Sequence, residues 1–462
     1  MKEIDRRKYP LLAAVEEYIA AGRVRMHTPG HGGKKNSALP LLGDICKYDI
    51  TELDGLESLY SGTGAIAASE RRAADILGVK GLFYSAGGST LCIQAMLYMA
   101  ASGDGKVIFA GGLHKSAINT CILLNITPVF IKSLDKDTCG RIKEILYSQS
   151  DVRAVYITNP DYYGRIYDTS ELYNICRDNN IPLLVDGAHG AHLSCFDESI
   201  NTLHMGASMT AQSAHKTLPA LTGGAWLCVH EDKYLHNAKY AMSMFGSTSP
   251  SYLIMLSLEA AANWLEDEGA ESFIRIADKC SAVKSEALRC NWKIDTGLSD
   301  PARITLDASS LGISGRQASK LFRGNGIEPE MHDGSRVVFI PSPFMTDAEF
   351  ERLTYAVKAV GVRAGYVSHT DKKEEGGPYC GCGETVTKDS DAWHIDMRMT
   401  PRAASLAECE TLLCDEAAGR IAGEIICPCP PGTPITVPGG VIDADAVQTL
   451  KSYGIFTVKV VK

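Results

Sequence analysis

The chain has 462 residues, too many for one ordinary core, so two or more domains are expected. Its composition, 45% hydrophobic and 22% charged, excludes a disordered or fibrous architecture. A net charge of −9 with no basic block argues against a nucleic-acid partner, and no apolar run approaches the roughly 18 residues of a membrane span.

The first 22 residues mix acids and bases ahead of a short apolar face, which predicts an amphipathic helix and not an export signal. Fifteen scattered cysteines, an odd number, suit reduced thiols in a cytoplasmic protein better than a disulfide framework. Cys380, Cys382, Cys427 and Cys429 could together offer four thiolates to zinc. Their C-x-C spacing and the lack of a flanking histidine weigh against this, and no metal is expected.

From residue 81 to 230, short β-rich runs alternate with helical patterns. The runs are 81–85, 106–110, 128–132, 153–158, 182–186, 209–213 and 225–230; the helical stretches are 90–101, 116–124, 140–148 and 170–179. Several runs are apolar throughout, as in strands covered on both faces of a mostly parallel sheet. Residues 252–290 read as a long helix interrupted near Gly269, and mixed short elements follow to about 365, including 303–306, 315–322 and 336–340. A polar, glycine-rich stretch at 372–391 reads as a loop or linker, and a helix is expected over 406–422, before a proline-rich turn.

The chemistry concentrates around Lys216. Asp186 ends the apolar run Pro182-Leu183-Leu184-Val185, and Lys216 follows the next run in Ser213-Ala214-His215-Lys216. An amine beside apolar Leu218-Pro219-Ala220-Leu221 is partly desolvated and can attack a carbonyl. A carboxylate at a parallel-sheet edge can hold a pyridine nitrogen protonated. That pairing is what pyridoxal 5'-phosphate requires. The bland alternatives are a solvated lysine and a helix-capping aspartate. His189 and His192 follow Asp186 at three-residue steps and could be metal ligands with it, but a metal would leave Lys216 unexplained.

Gly87-Gly88-Ser89-Thr90 sits between a strand and a helix, where backbone amides and hydroxyls can cradle a phosphate. Alone the signal is weak, since such residues also cap helices. His114 follows the 106–110 run; it either stacks on a flat cofactor ring or faces solvent at a helix start.

Taken together these motifs resemble the Orn/Lys/Arg decarboxylase family. The resemblance starts at His27-Thr28-Pro29-Gly30-His31-Gly32-Gly33 and Asp49-Ile50-Thr51-Glu52-Leu53-Asp54-Gly55-Leu56, and takes in Gly88-Ser89-Thr90 and His114-Lys115-Ser116. It continues through Asp186-Gly187-Ala188-His189-Gly190-Ala191-His192, the stretch from Gln212 to Leu221, and Thr248-Ser249-Pro250. It ends with Thr400-Pro401-Arg402, Gly419-Arg420-Ile421 and Pro430-Pro431-Gly432-Thr433-Pro434. The chain is similar to the short form, without an N-terminal wing domain.

The resemblance implies a pyridoxal-phosphate enzyme of fold type I: an α/β chain with a mostly parallel seven-stranded sheet, flanking helices and smaller α+β domains toward the C-terminus. It divides the chain into an N-terminal segment (1–50), a large cofactor-binding domain (51–250), a small α+β domain (251–370) and a C-terminal domain (371–462). Lys216 would be the covalent cofactor lysine and Asp186 the pyridinium partner; His114 would stack on the ring and His189 would reach the ring hydroxyl. Gly88, Ser89, Thr90 and Ser213 would bind phosphate, and His215 would relay protons beside Lys216. Ser247 or Thr248 would come from a second subunit, giving a homodimer with shared sites. The implied reaction is decarboxylation of a basic L-amino acid (arginine, lysine or ornithine) to its amine, as in polyamine formation. Rival readings are an aminotransferase, a carbon–carbon lyase or a non-catalytic cofactor binder.

Five positions depart from the family pattern. Gly187 stands where glutamate is usual, Ala214 where threonine is common, and Cys427 and Cys429 where aromatic residues are frequent. Gly440 replaces the glutamate of a Pro-Gly-Glu motif near the substrate entrance, which puts recognition of the distal basic group in question; Asp443 and Asp445 are nearby acids.

Overall fold

The computed structural model describes residues 4–35, 38, 42–103, 105–131, 133–370, 395–428 and 432–462, with side chains of 363–370 excepted. Its elements in chain order begin with α1 (Pro10–Ala20) and α2 (Gly64–Leu77), then β1 (Gly81–Ser85), α3 (Gly88–Ala101), β2 (Lys106–Ala110), α4 (Lys115–Leu124) and β3 (Thr127–Ile131). They continue with α5 (Thr138–Ser148), β4 (Val152–Thr158), α6 (Ser170–Asp178), β5 (Leu183–Asp186), β6 (Met209–Gln212), the short α7 (Ala214–Thr217), β7 (Ala225–Val229) and α8 (Asp232–Ser243). The seven strands form one sheet in the order β1-β7-β6-β5-β4-β2-β3.

The chain divides into two compact units, one of residues 1–100 and 182–271 and one of 101–181 and 272–462. In the first, β5 runs parallel to β6, while β7 is antiparallel to both β6 and β1. Asp186 pairs with Ala211, Gln212 with Trp226 and Ser85 with Ala225, so the C-terminal ends of β5, β6 and β1 lie along one edge. β5, β6 and β7 are buried at every position, which is why their sequences are apolar runs without alternation. Helix α1 begins at Pro10, a residue suited to the first helical position, and buries Leu11, Ala13 and Val15. Its first turn is capped from a distance: the Leu11 and Leu12 amides donate to the buried Glu259 carboxylate at 2.8 and 2.9 Å.

In the second unit β2 runs parallel to both β3 and β4, and Phe109 packs on Tyr156 with ring centroids 5.2 Å apart. The 252–290 helix is α9 (Tyr252–Trp264) and α10 (Ala270–Arg289), joined by the π-helical turn Leu265–Gly269. Next come β8 (Ile304–Asp307), α11 (Gly315–Gly324), β9 (Met331–His332), β10 (Arg336–Phe339) and α12 (Asp347–Thr370), with sheet order β8-β10-β9. The last elements are α13 (Pro401–Leu406), β11 (Cys409–Leu413), α14 (Ala444–Ser452) and β12 (Thr457–Val461).

The helix expected over 406–422 does not form. Residues Cys409–Leu413 instead pair antiparallel with Thr457–Val461, and Ala422, Ile442, Leu450 and Val458 pack into one small core. Pairing with a strand more than 40 positions away overrides a locally helical composition. The stretch at 372–391 lies outside the described residues, as do Cys380, Cys382 and Cys429. No helix among the described residues is long and apolar enough to cross a membrane.

Candidate active site

In the first unit the residues singled out by sequence converge at the common strand edge. Asp186, only 2% exposed, accepts the Ala188 amide at 3.1 Å, which fixes its carboxylate in a tight turn at the end of β5. Lys216 lies in the single turn α7, half-buried, with buried Ala214 and Leu218 beneath it. Its Nζ is 3.0 Å from Nε2 of His189, itself buried three residues after Asp186. A protonated Lys216 donates to that nitrogen and places the ring proton of His189 on Nδ1.

Helix α3 starts at Gly88, whose φ of +68° favours glycine, and space is open where a Cβ would stand. The Gly88 amide donates to Gly223 O at 2.8 Å, and Ser85 Oγ donates to Gly88 O at 2.8 Å, tying the turn down. Ser213 Oγ donates to Ser89 Oγ at 2.9 Å, so two hydroxyls meet at the N-terminus of a 14-residue helix. Thr90 is exposed in the same first turn. A helix N-terminus with open space and paired hydroxyls suits a phosphate. Adjacent amine, buried carboxylate and phosphate cradle thus match the aldehyde, ring nitrogen and phosphate of pyridoxal phosphate. The donor set fits that cofactor.

His215 donates from Nδ1 to Gly224 O, with a separation of 2.9 Å. Burial holds its pKa below the usual histidine value; the Gly224 contact counters this and the neighbouring Lys216 charge adds to it. It is therefore neutral near pH 7, with an unprotonated Nε2, which suits it to accept a proton. Donating one falls more naturally to Lys216. His192 is buried and meets Phe196 edge-on, and no cluster of three or more metal-ligating side chains exists among the described residues.

The second unit carries His114, just past the end of β2. Its Nδ1 accepts the Ser116 amide at 3.3 Å and lies 2.8 Å from Ser116 Oγ, so His114 caps α4 and carries its ring proton on Nε2. Gly432, met in the sequence only within a resemblance motif, lies beside it, and Tyr162, which the sequence did not single out, lies beside Gly432. A Cβ at Gly432 would stand 3.0 Å from His114 Cδ2 and 3.5 Å from Tyr162 Oη. Tyr162 follows the cis Asn159–Pro160 bond at the end of β4, where Asn159 is spanned by Tyr167 N and O at 3.1 and 2.9 Å. The Asn-Pro pair closing an apolar strand was the available signal. Thr248 lies exposed in the loop between α8 and α9.

Two departures acquire a physical account. At Gly187 the usual side chain is displaced by Gln212, whose Nε2 lies 2.4 Å from where a Cβ would be. The Gln212 amide is fully buried and finds no hydrogen-bond partner among the described residues. At Gly440 the corresponding space is filled by Ile395, 2.2 Å from the Cβ position. Asp443 caps α14, accepting the Ala446 amide at 2.7 Å, and so has a structural task.

Comparison with known proteins follows the same outline. The family model described as "Orn/Lys/Arg decarboxylase, major domain" matches residues 9–296, and that family's C-terminal domain matches 385–457. The chain is 27% identical to an arginine decarboxylase of Bacillus anthracis, covering 98% of this chain and 94% of that protein. The fold resembles the lysine decarboxylase LdcF of Francisella novicida, with a TM-score of 0.81 at 16% identity, covering 98% of this chain and 81% of the other. Lysine decarboxylase A of Pseudomonas aeruginosa gives a TM-score of 0.79 at 18% identity, covering 98% and 80%.

Proposed function

Since the chain belongs to the Orn/Lys/Arg decarboxylase family, we propose that it decarboxylates a basic L-amino acid, arginine, lysine or ornithine, using pyridoxal 5'-phosphate. The observation that carries the reading is the Lys216–His189 contact at 3.0 Å beside the buried Asp186. When bound, the cofactor supplies an electron-accepting ring that stabilises the charge left by departing carbon dioxide.

Each residue then has a task. Lys216 anchors the cofactor and returns a proton to Cα. Asp186 keeps the ring nitrogen protonated, and its burial strengthens that interaction. Gly88, Ser89, Thr90 and Ser213 bind the phosphate. His189 is assigned to the ring hydroxyl, His114 to the ring face, and His215 accepts protons beside Lys216. Thr248 is assigned to the phosphate of a second copy of the chain, in a homodimer. With Ile395 in place of an acid at 440, the distal basic group of the substrate is recognised elsewhere. Cytoplasmic location and a place in polyamine formation follow from the same reading.

The test is to incubate purified holo-protein with each of the three amino acids and measure amine and carbon dioxide together. Equimolar amine and gas from one of them support the proposal. A keto acid without gas would make it an aminotransferase, and cofactor colour without turnover a non-catalytic binder.

A further inference from the structure

Helix α4, capped by His114, is held at both ends by the C-terminal segment. At its start the Lys115 amide donates to Gly432 O at 3.3 Å. Gly432 has φ +85°, and its Cα approaches the His114 ring so closely that a Cβ would sit 3.0 Å from Cδ2 and 3.4 Å from Nε2. At its end Arg402 Nη1 donates to Ile122 O at 3.3 Å and Leu123 O at 3.0 Å, about 280 positions away in sequence. A guanidinium on the last carbonyls of a helix meets both unsatisfied acceptors and the negative end of the dipole.

The two jaws are braced together. Thr400 caps α13 just ahead of Arg402, accepting the Ala403 amide at 3.2 Å. Arg398 and Met399 donate to Gly439 O at 2.8 and 3.1 Å, and Val441 N donates to Asp396 O at 2.9 Å. Ile426 in turn bridges Thr436, four residues past Gly432.

We propose that Arg402 and Gly432 are positioning residues: the C-terminal segment clamps α4 and thereby sets the imidazole of His114. The consequence for catalysis rests on the assignment of His114 to the ring face. The clamp itself does not.

The test reads the His114 side chain directly, by ¹H–¹⁵N correlation of labelled histidine in cofactor-free protein, its signal assigned by loss in His114→Asn. Arg402→Ala and Gly432→Ala are each expected to shift or split that signal. Arg402→Lys, which can still donate to a terminal carbonyl, restores the parent position, and Arg398→Ala, whose charge pairs with Asp396 at the surface, leaves it unmoved. An unchanged His114 signal in both Arg402→Ala and Gly432→Ala overturns the clamp. Separately, visible circular dichroism of bound cofactor tests the ring-face assignment: a spectrum in His114→Asn identical to the parent would remove that assignment while leaving the clamp standing.

Discussion

Lys216 Nζ and His189 Nε2 stand 3.0 Å apart, so a half-buried amine and a buried imidazole meet directly. The contact couples the amine proposed to bond the cofactor to a buried ring that fixes where its proton resides. His189→Asn should lower turnover by roughly 10- to 100-fold, the loss of one charge-assisted hydrogen bond of about 1.5–3 kcal/mol. Steady-state kinetics check this, and parent-like turnover would leave His189 without a role.

Asp186 is buried where the ring nitrogen is assigned. Asp186→Asn keeps the shape and removes the charge, so cofactor should still bind while turnover falls about 10²- to 10³-fold, the scale for losing one preorganised electrostatic partner. Absorption spectra and product assays on the same sample separate the two effects.

His230 predicts an acid limit to stability. Burial, with His204 beside it, pushes its pKa down to about 4, whereas the unfolded chain takes up the proton near 6.5. Between those values the unfolded state binds more protons, so stability present above pH 6.5 is lost as pH falls through about 4. The full effect is about 3 kcal/mol at 1.36 kcal/mol per unit. Urea unfolding from pH 7 to 4 should show this slope, and His230→Gln should flatten it.

Gly187 and Gln212 share one volume. Gly187→Ala alone should destabilise by about 1–3 kcal/mol through overpacking. In a Gln212→Ala background the same change should cost at least about 1 kcal/mol less, a coupling that a double-mutant cycle in denaturant resolves. Additive effects would mean the two side chains do not compete for space.

The large sheet was legible because each strand announces itself locally: the runs at 81–85 and 106–110 coincide with β1 and β2, and the others differ by a residue or so at their ends. The 406–422 segment was not, because β11 owes its existence to Thr457–Val461 and the amphipathic count sees only neighbours. The site divides along the same line. Lys216 and Ser89 follow strands, Asp186 ends one, and each carries a polar or charged group, so position and chemistry singled them out. Gly432 meets His114 and Tyr162 only through the fold, and a glycine bears no group that could announce the contact. Likewise Gly187 read as a lost glutamate until Gln212 was seen filling its place.

The most direct measurement is the visible spectrum of Lys216→Ala after incubation with pyridoxal phosphate and gel filtration. The account predicts a folded protein, parent-like by far-ultraviolet circular dichroism, with neither the lysine-linked cofactor band nor turnover. A folded variant that keeps that band, or still releases carbon dioxide from a basic amino acid at the parent rate, would contradict it.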